Sequence, residues 1–287
     1  MLKHAFIISV HKNFEQIKLL IGSLSFGDAF LHVDLKSDEL YRKLCMEYKD
    51  SSNVKIIENR VSVNWSGFSQ VEATLNLMKA VKNNHKEYDY IHFISGQDLL
   101  LLSPERLDNF IENHGKGKEF IDIEDIGNYK WRVRCFNFFR ENPKNRTIIL
   151  RGIDILLRLM QVPFIHRHNL QNYNLYKGSS WFSITSDFLT YVIKVVEETD
   201  YVQQFRYTAC PDEHFFQILA MNSEFKHYIV SNNFRYVVFE KLNPSPKTLT
   251  MEDYSKFMNG NYMFARKFDL NENAQVVDEV INSLSIN

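Results

Sequence analysis

The first third of the chain alternates short apolar runs with segments whose apolar residues recur at helical spacing. Four runs rich in β-branched and aromatic residues predict buried strands, at residues 5–10, 29–34, 53–57 and 90–95. Three segments with apolar positions every three or four residues predict helices, at residues 13–24, 38–48 and 69–81. This alternation indicates βαβ units, and therefore an α/β fold with a mostly parallel central sheet.

The remainder of the chain is less regular. Further strands are predicted at residues 118–125, 180–184 and 234–239. Further helices are predicted at residues 146–162, 186–198, 212–220 and 276–284. Ser37 and Ser186 are suitable N-caps, and Pro211 is suitable for a first helical turn. We expect one domain over residues 1–287, with an irregular insertion at residues 126–175.

Composition and charge narrow the functional classes. The chain has 45% apolar residues, 24% charged residues and a net charge of −1, so it lacks the basic excess typical of nucleic-acid-binding proteins. Its three cysteines are odd in number and widely spaced, which disfavours a disulfide framework. The apolar run at residues 5–10 is short for a signal peptide, and no run reaches the ~18 residues of a membrane span. These features predict a cytoplasmic protein.

Polar residues follow the predicted strands. His11 comes after the first strand, Asp34 after the second, and Gln97 and Asp98 after the fourth. Ligands of parallel sheets bind at the carboxyl ends of strands, so these residues together indicate a crevice, although each alone is equally suited to a turn. The sequence has no GxGxxG and no P-loop, and no Asp-x-Asp pair follows the fourth strand to hold a metal on a diphosphate.

Two groups of charges later in the chain are candidates for chemistry. Asp212 and Glu213 stand behind Pro211 at a predicted helix start, where the helix dipole favours carboxylates and suits a proton acceptor. An ordinary acidic first turn has the same pattern. Lys247 and the pair Arg266–Lys267 could neutralise a leaving diphosphate, or they could be solvated surface cations.

Four stretches of the chain resemble the core-2/I-branching glycosyltransferases, a family of branching β-1,6-N-acetylglucosaminyltransferases, peptide O-xylosyltransferases and bacterial relatives. The stretches are FLHVDLKS at 30–37, VNWSGFSQVEATLNL at 63–77 with YIHFISGQDLLL at 90–101, KGSSWFSITSDFLTYVI at 177–193 with PDEHFFQI at 211–218, and 246–269, which ends in ARKFD. They occur in the family's order, and GSSWF followed by PDE-x-x-F is the most specific part. Residues 126–175 match nothing in the family pattern.

The resemblance implies a GT-A-like α/β/α sandwich, with a nucleotide-binding half at 1–125 and an acceptor and catalytic half at 176–287. It also implies an inverting, single-displacement reaction in which Glu213 is the general base. Basic residues replace the metal at the diphosphate, namely Lys267, the adjacent Arg266 and a second position near Lys247. The family has arginine at that second position, with slightly different spacing.

The resemblance further implies the donor and acceptor sites. Val10 and His11 belong to the nucleotide site, in which Asp34 bonds the uridine and Trp65 packs on the base or ribose. Gln97 and Asp98 lie near the donor sugar. Trp181 flanks the acceptor with Asp212, opposite Glu213.

The substrates expected from the resemblance are a UDP-sugar, with N-acetylglucosamine or xylose, and a glycan or lipid-linked glycan acceptor. Neither a cofactor nor a metal is expected. Two alternatives stay open. One is a metal-dependent enzyme that uses Asp98 alone or with His32 and Asp34. The other is a nucleotide-sugar-binding protein without turnover.

Residues 146–168 mix apolar side chains with basic ones. The basic residues are Arg146, Arg151, Arg158, Arg167, His166 and His168. This composition is typical of a helix lying on an anionic membrane surface, and equally of a packed helix whose arginines are solvated or paired. The first interpretation predicts peripheral association with the inner face of the cell membrane.

Overall fold

A computed structural model describes residues 1–145, 147–161, 167, 170–240 and 245–285. Twelve strands lie in these ranges: β1 (His4–Val10), β2 (Asp28–Val33), β3 (Val54–Ile56), β4 (Tyr90–Ser95), β5 (Asp98–Leu100), β6 (Glu119–Ile121), β7 (Glu124–Asp125), β8 (Tyr176–Lys177), β9 (Phe182–Thr185), β10 (Ile229–Val230), β11 (Arg235–Val237) and β12 (Phe264–Arg266). Ten α-helices lie in the same ranges: α1 (Phe14–Ser23), α2 (Asp38–Glu47), α3 (Ser69–Lys82), α4 (Pro104–Gly115), α5 (Lys130–Arg134), α6 (Ile148–Gln161), α7 (Ser186–Glu198), α8 (Phe215–Met221), α9 (Met251–Met258) and α10 (Ala274–Ser285).

The main sheet has the strand order β10-β6-β9-β4-β1-β2-β3 within the described residues. β3, β2, β1 and β4 are parallel neighbours, and β6 and β10 run in the same direction. β9 alone runs against them, between β4 and β6. The predicted α/β fold with a mostly parallel central sheet is therefore confirmed.

Helices cover both faces of the main sheet. Along β1, Phe6 and Ile8 belong to one hydrophobic core and Ala5 and Ile7 to another, because successive side chains of a strand point to opposite faces. The first core packs against α1, α2, α4, α9 and α10, and the second against α3, α7 and α8. The three layers leave the carboxyl edge of the parallel strands open to loops.

All seven elements predicted in the first third exist, with ends within one residue of prediction. Of the two predicted serine caps, Ser37 does occupy the N-cap position of α2, whereas Ser186 was wrong. Ser37 donates its hydroxyl to the His11 carbonyl at 2.8 Å and makes no cap hydrogen bond to α2. α7 is capped by Thr185, whose hydroxyl accepts from the Phe188 amide at 3.2 Å, while Ser186 is the first helical residue.

The helix predicted at 212–220 is interrupted. Residues Pro211–Glu213 form a 3-10 turn, His214 adopts φ −130°, and α8 begins only at Phe215. Asp212 and Glu213 therefore lie before the α-helix and not in its first turn. The predicted strand at 118–125 is likewise split into β6 and β7, and α4, α9, β5 and β12 were not predicted.

In residues 126–175, hereafter the middle segment, the described chain forms a 3-10 turn (Gly127–Tyr129), α5 and α6. The helix predicted at 146–162 is present as α6. Arg146, His166 and His168, which were part of the membrane hypothesis, lie outside the described residues. Among the helices of the described chain, none has the length and apolar character needed to span a bilayer.

Candidate active site at the carboxyl edge of the main sheet

The ends of β1 and β2 meet as the sequence predicted. The Asp34 amide donates to the Val10 carbonyl at 2.9 Å, and the Ser37 hydroxyl reaches the His11 carbonyl. The buried Asp34 carboxylate accepts from the Lys36 amide at 2.9 Å. Val10, His11 and Asp34 therefore lie side by side and form one wall at the carboxyl edge of the sheet.

A loop at residues 61–66 connects this wall to the 3-10 turn at Pro211–Glu213, hereafter the PDE turn. At the start of the loop, the Val61 amide donates to Nε2 of His32 at 3.0 Å. Burial lowers the pKa of His32 to about 4, so the imidazole ring is neutral and its Nε2 can accept this hydrogen bond. At the end of the loop, the Ser66 carbonyl accepts from the Cys210 amide at 3.0 Å. Trp65 lies between them, with 42% of its surface exposed.

Both residues of that last contact have left-handed backbone angles, with φ +63° at Ser66 and +49° at Cys210. This region is uncommon for residues other than glycine, and it is tolerated where the surrounding structure imposes it. The strained pair fixes the chain immediately before Pro211.

Glu213 is the more accessible carboxylate of the turn, with 38% of its side chain exposed. Its Oε2 forms an ion pair with the Arg132 guanidinium from α5. The Glu213 carbonyl accepts from the Gly178 amide at 2.9 Å. A Cβ at position 178 would stand 1.8 Å from the Asp122 carbonyl oxygen, so only glycine permits this approach.

Asp212 is held differently. Its Oδ2 accepts from the Ser180 hydroxyl at 2.6 Å and from Gln70 Nε2 at 3.3 Å, whereas the buried Oδ1 has no hydrogen-bond partner in the described chain. Burial, and after it the charge of Glu213, raises the pKa of Asp212 to about 7. The expectation that a helix dipole favours the anionic form here was therefore wrong for Asp212.

Trp181 follows Ser180 and connects the carboxylates to a basic group. The Arg266 guanidinium lies 4.0 Å from the centroid of the Trp181 ring. Its Nε is 3.5 Å from Oδ1 of Asp98, which is opposite Arg266 in the β5–β12 pairing. Asp98 is 1% exposed and also accepts from the Ser95 amide at 2.6 Å, so its contacts are with the protein and it positions Arg266.

Lys247 and Lys267 differ in their surroundings. The Lys247 ammonium donates to Oδ2 of the buried Asp253 at 2.8 Å, so it is engaged at the start of α9. The Lys267 ammonium has no ion-pair partner among the described side chains, and the Phe268 amide after it donates to the Gln97 carbonyl at 2.8 Å. Lys267 therefore lies beside the loop that follows β4, with its charge available.

The residues of the metal-dependent alternative are not clustered. Within the part of the chain that the structure describes, no three His, Cys, Asp or Glu side chains come together in a way that could hold a metal ion. His32 and Asp98 are committed to the contacts given above.

The family model for "Core-2/I-Branching enzyme" matches residues 4–259, which include the main sheet and the PDE turn. This chain belongs to that family. Core-2/I-branching relatives include xylosyltransferase oxt of Drosophila pseudoobscura pseudoobscura, 22% identical over 92% of this chain and 31% of its own length. Human xylosyltransferase 1 is 22% identical over 96% of this chain and 30% of its own. The β-glucuronosyltransferase GlcAT14A of Arabidopsis thaliana is 23% identical over 88% and 54%.

This core-2/I-branching chain thus spans about a third of the xylosyltransferases that it matches. Among solved structures it is similar to apo mouse xyloside xylosyltransferase 1, with TM-score 0.40, 12% identity, and coverage of 92% of this chain and 97% of that one. It is also similar to the apo bifunctional glycosyltransferase WbbM, with TM-score 0.44, 12% identity, and coverage of 98% and 50%.

Sequence reasoning missed four polar residues of the site: Gln70, Arg132, Ser180 and Arg235. Arg235 is fully buried, donates to the Phe182 carbonyl at 2.6 Å and to the Ser183 hydroxyl at 3.0 Å, and has a pKa lowered by burial to about 9. The available signal was an arginine between aromatic residues in a predicted strand. Arg132 carried no signal, because nothing in the middle segment points to a carboxylate 81 residues later.

Proposed function

We propose that this chain is an inverting glycosyltransferase that moves a sugar from a UDP-sugar to a hydroxyl group of a glycan acceptor without a metal. The observation that carries the proposal is the position of Glu213. This half-exposed carboxylate follows Asp212, which accepts from the Ser180 hydroxyl. Trp181, the residue after Ser180, is stacked against Arg266 of the basic ARK stretch at residues 265–267. Proton removal and diphosphate neutralisation need these two kinds of group on adjoining walls of one crevice.

Glu213 is the general base of this proposal. Arg132 occupies Oε2, and no residue of the described chain donates to Oε1. Oε1 accepts the proton of the acceptor hydroxyl, whose oxygen attacks the anomeric carbon as the nucleoside diphosphate leaves from the opposite face. The configuration inverts because there is a single displacement. A positioned base of this kind contributes roughly 10²–10⁴-fold to the rate.

Fixed cations stabilise the departing diphosphate. Lys267 is available, and Arg266 is oriented by Asp98 on one side and Trp181 on the other. Lys247 joins them only if its ammonium leaves Asp253. Cations held in place before the reaction stabilise developing charge without the cost of reorientation.

The donor nucleotide binds along the wall formed by Val10, His11 and Asp34, with the uracil near Asp34. Trp65 closes the nucleotide site from the 61–66 loop, and Gln97 borders the donor sugar, while the buried Asp98 beside it acts by positioning Arg266. Trp181 and Asp212 line the acceptor side. Family membership supports these assignments, and the backbone contact between Asp34 and Val10 supports their grouping.

For the donor sugar, the relatives named xylosyltransferases favour UDP-xylose as the first candidate, followed by UDP-N-acetylglucosamine. The relative named β-glucuronosyltransferase adds UDP-glucuronate to the set worth testing. The proposed acceptor is a glycan or lipid-linked glycan.

A thermal-shift screen of these UDP-sugars, with and without EDTA, tests the proposal. A ligand at 100 times its Kd stabilises by about 2.7 kcal/mol, which a melting curve resolves. We expect one UDP-sugar to stabilise the protein equally with and without EDTA, and to be consumed when acceptor is added. Stabilisation that EDTA abolishes would support the metal-dependent alternative, and binding without any transfer or hydrolysis would support the non-catalytic one.

A further inference from the structure

Helix α6 turns its polar side toward the protein. Oδ2 of Asp154 accepts from Arg140 Nη2 at 2.6 Å, with 12% and 19% of the two side chains exposed. Gln161 is 3% exposed, accepts from the Phe136 amide at 2.6 Å and donates to the Phe136 carbonyl at 3.0 Å. The Arg158 guanidinium lies 4.0 Å from the centroid of the Trp131 ring. These directional contacts fix the rotation of the helix about its axis.

The opposite side of α6 is apolar and faces solvent. Exposed side chains are Ile148 (88%), Ile149 (75%), Ile153 (40%), Ile155 (47%), Leu156 (58%), Leu159 (62%) and Met160 (59%). Single exposed apolar residues are ordinary, but seven on one helix form a contiguous patch of the kind that marks an interaction surface. The usual amphipathic arrangement, with apolar residues inside, is reversed here.

The positive charge next to this apolar patch favours an anionic partner. The middle segment contains nine of the 34 Lys and Arg residues of the chain, but only two of its 35 Asp and Glu residues. Of the nine, Arg132 and Arg140 are ion-paired within the protein and Arg167 is buried. Lys144 and Arg151 are exposed at the end and the border of the apolar face. Two copies meeting through α6 would bring like charges together, whereas an anionic partner would be attracted.

We propose that α6 binds the surface of an anionic lipid bilayer, with its apolar face in the boundary between headgroups and acyl chains. A helix with an apolar face and basic borders binds such surfaces by burying apolar area and by attracting anionic lipids. A fluid bilayer surface needs no complementary shape to cover the exposed apolar side chains of α6.

A bilayer at α6 would lie close to the candidate active site. Arg140, which holds Asp154, also donates from Nη1 to the Ser66 hydroxyl at 3.4 Å. Ser66 accepts from Cys210, three residues before Glu213. A bound membrane would therefore present lipid-linked acceptors near the base. This last step rests on the proposed function, whereas the membrane binding does not.

Vesicle flotation tests the proposal. We expect the protein to float with phosphatidylglycerol-containing vesicles at low salt, to be released as salt rises, and to bind phosphatidylcholine vesicles weakly. Ile149→Gln/Leu156→Gln removes apolar contact at unchanged charge and should lower the partition coefficient at least ~10-fold. Arg151→Gln should lower it about fivefold on anionic vesicles only. Met46→Gln, at an apolar position of α2 that is 76% exposed, is the matched control and should float like the wild type.

Protein that stays at the bottom with anionic vesicles at low salt overturns the proposal. So does a double variant that floats like the wild type while its melting temperature shows that it is folded. A concentration-dependent dimer that the double variant dissociates, in protein that ignores vesicles, would assign the face to a second copy instead. Protein that floats but transfers no sugar keeps this inference and removes the proposed function.

Discussion

The Arg132 guanidinium forms an ion pair with the Glu213 carboxylate, and it comes from the middle segment, which lies within the residues that the family model matches. The contact occupies Oε2 of the carboxylate and leaves Oε1, the proposed proton acceptor, without a donor in the described chain. The middle segment therefore takes part in the candidate active site through α5.

Replacing Arg132 tests this relationship. We expect Arg132→Ala to lower kcat by roughly tenfold through misorientation of Glu213, with the Kd for UDP unchanged. Arg132→Lys should recover part of the loss because it restores the positive charge. A rise in KM with kcat unchanged would instead assign Arg132 to acceptor binding.

Glu213→Gln should lower glycosyl transfer at least ~100-fold, because the amide has nearly the same shape and cannot accept the proton. The affinity for UDP should stay within a few-fold of wild type. Glu105→Gln makes the same change in the exposed first turn of α4 and should leave transfer unaffected. Transfer by Glu213→Gln near the wild-type rate would mean that another group is the base.

The raised pKa of Asp212, about 7, predicts a pH-dependent stability. The folded protein holds the proton more tightly than the unfolded chain does, so the free energy of unfolding falls as pH rises from about 4 to about 7. Asp212→Asn has no charge to bury. Its stability relative to wild type should therefore improve between pH 5 and pH 8 by on the order of 1 kcal/mol, measured by urea unfolding. An equal difference at both pH values would contradict the raised pKa.

Lys267→Ala should weaken UDP binding by about tenfold or more and uridine binding by less than about twofold, because the lost partner is the diphosphate. Lys247→Ala is the matched comparison. Its ammonium is engaged by Asp253, so we expect a smaller effect on UDP. Isothermal titration calorimetry measures the Kd of each variant for UDP and for uridine. An equal loss of affinity for the two ligands in Lys267→Ala would refute the assignment of Lys267 to the diphosphate.

Asp34→Asn and Trp65→Ala should show the opposite pattern, weakening UDP and uridine alike, because both residues are assigned to the nucleoside. A crystal structure with UDP bound away from both side chains would place the nucleoside elsewhere.

Local patterns predicted the first third of the fold because its strands and helices bury regular apolar faces. The predicted strand ends also place Val10, His11 and Asp34 side by side, and their role in a nucleotide site stays a prediction. Local patterns failed where a side chain forms its hydrogen bond with a residue that is distant in the sequence. Ser37 occupies the N-cap position of α2, but its hydroxyl donates to the His11 carbonyl and not to the helix. The Asp212 carboxylate accepts from Gln70 and Ser180, which lie 142 and 32 residues away in the sequence. The sequence also could not predict that the polar face of α6 points inward, because that orientation depends on contacts with Arg140 and Phe136, whose positions the patterns did not predict.

The match to the family model ends at residue 259, whereas several residues of the candidate site come after it in the sequence. β12 pairs with β5 and β11 in a separate three-stranded sheet of the described chain, Arg266 is the last residue of β12, and Lys267 follows. The Asp269 carboxylate accepts from the Lys12 ammonium at 2.6 Å and from the Asn13 side chain at 2.8 Å. A recombinant fragment trimmed at the family boundary would lose the partner of Asp98 and the anchor of the loop after β1. Such a fragment would retain the proposed base and lack Arg266 and Lys267, the two cations proposed to act with it.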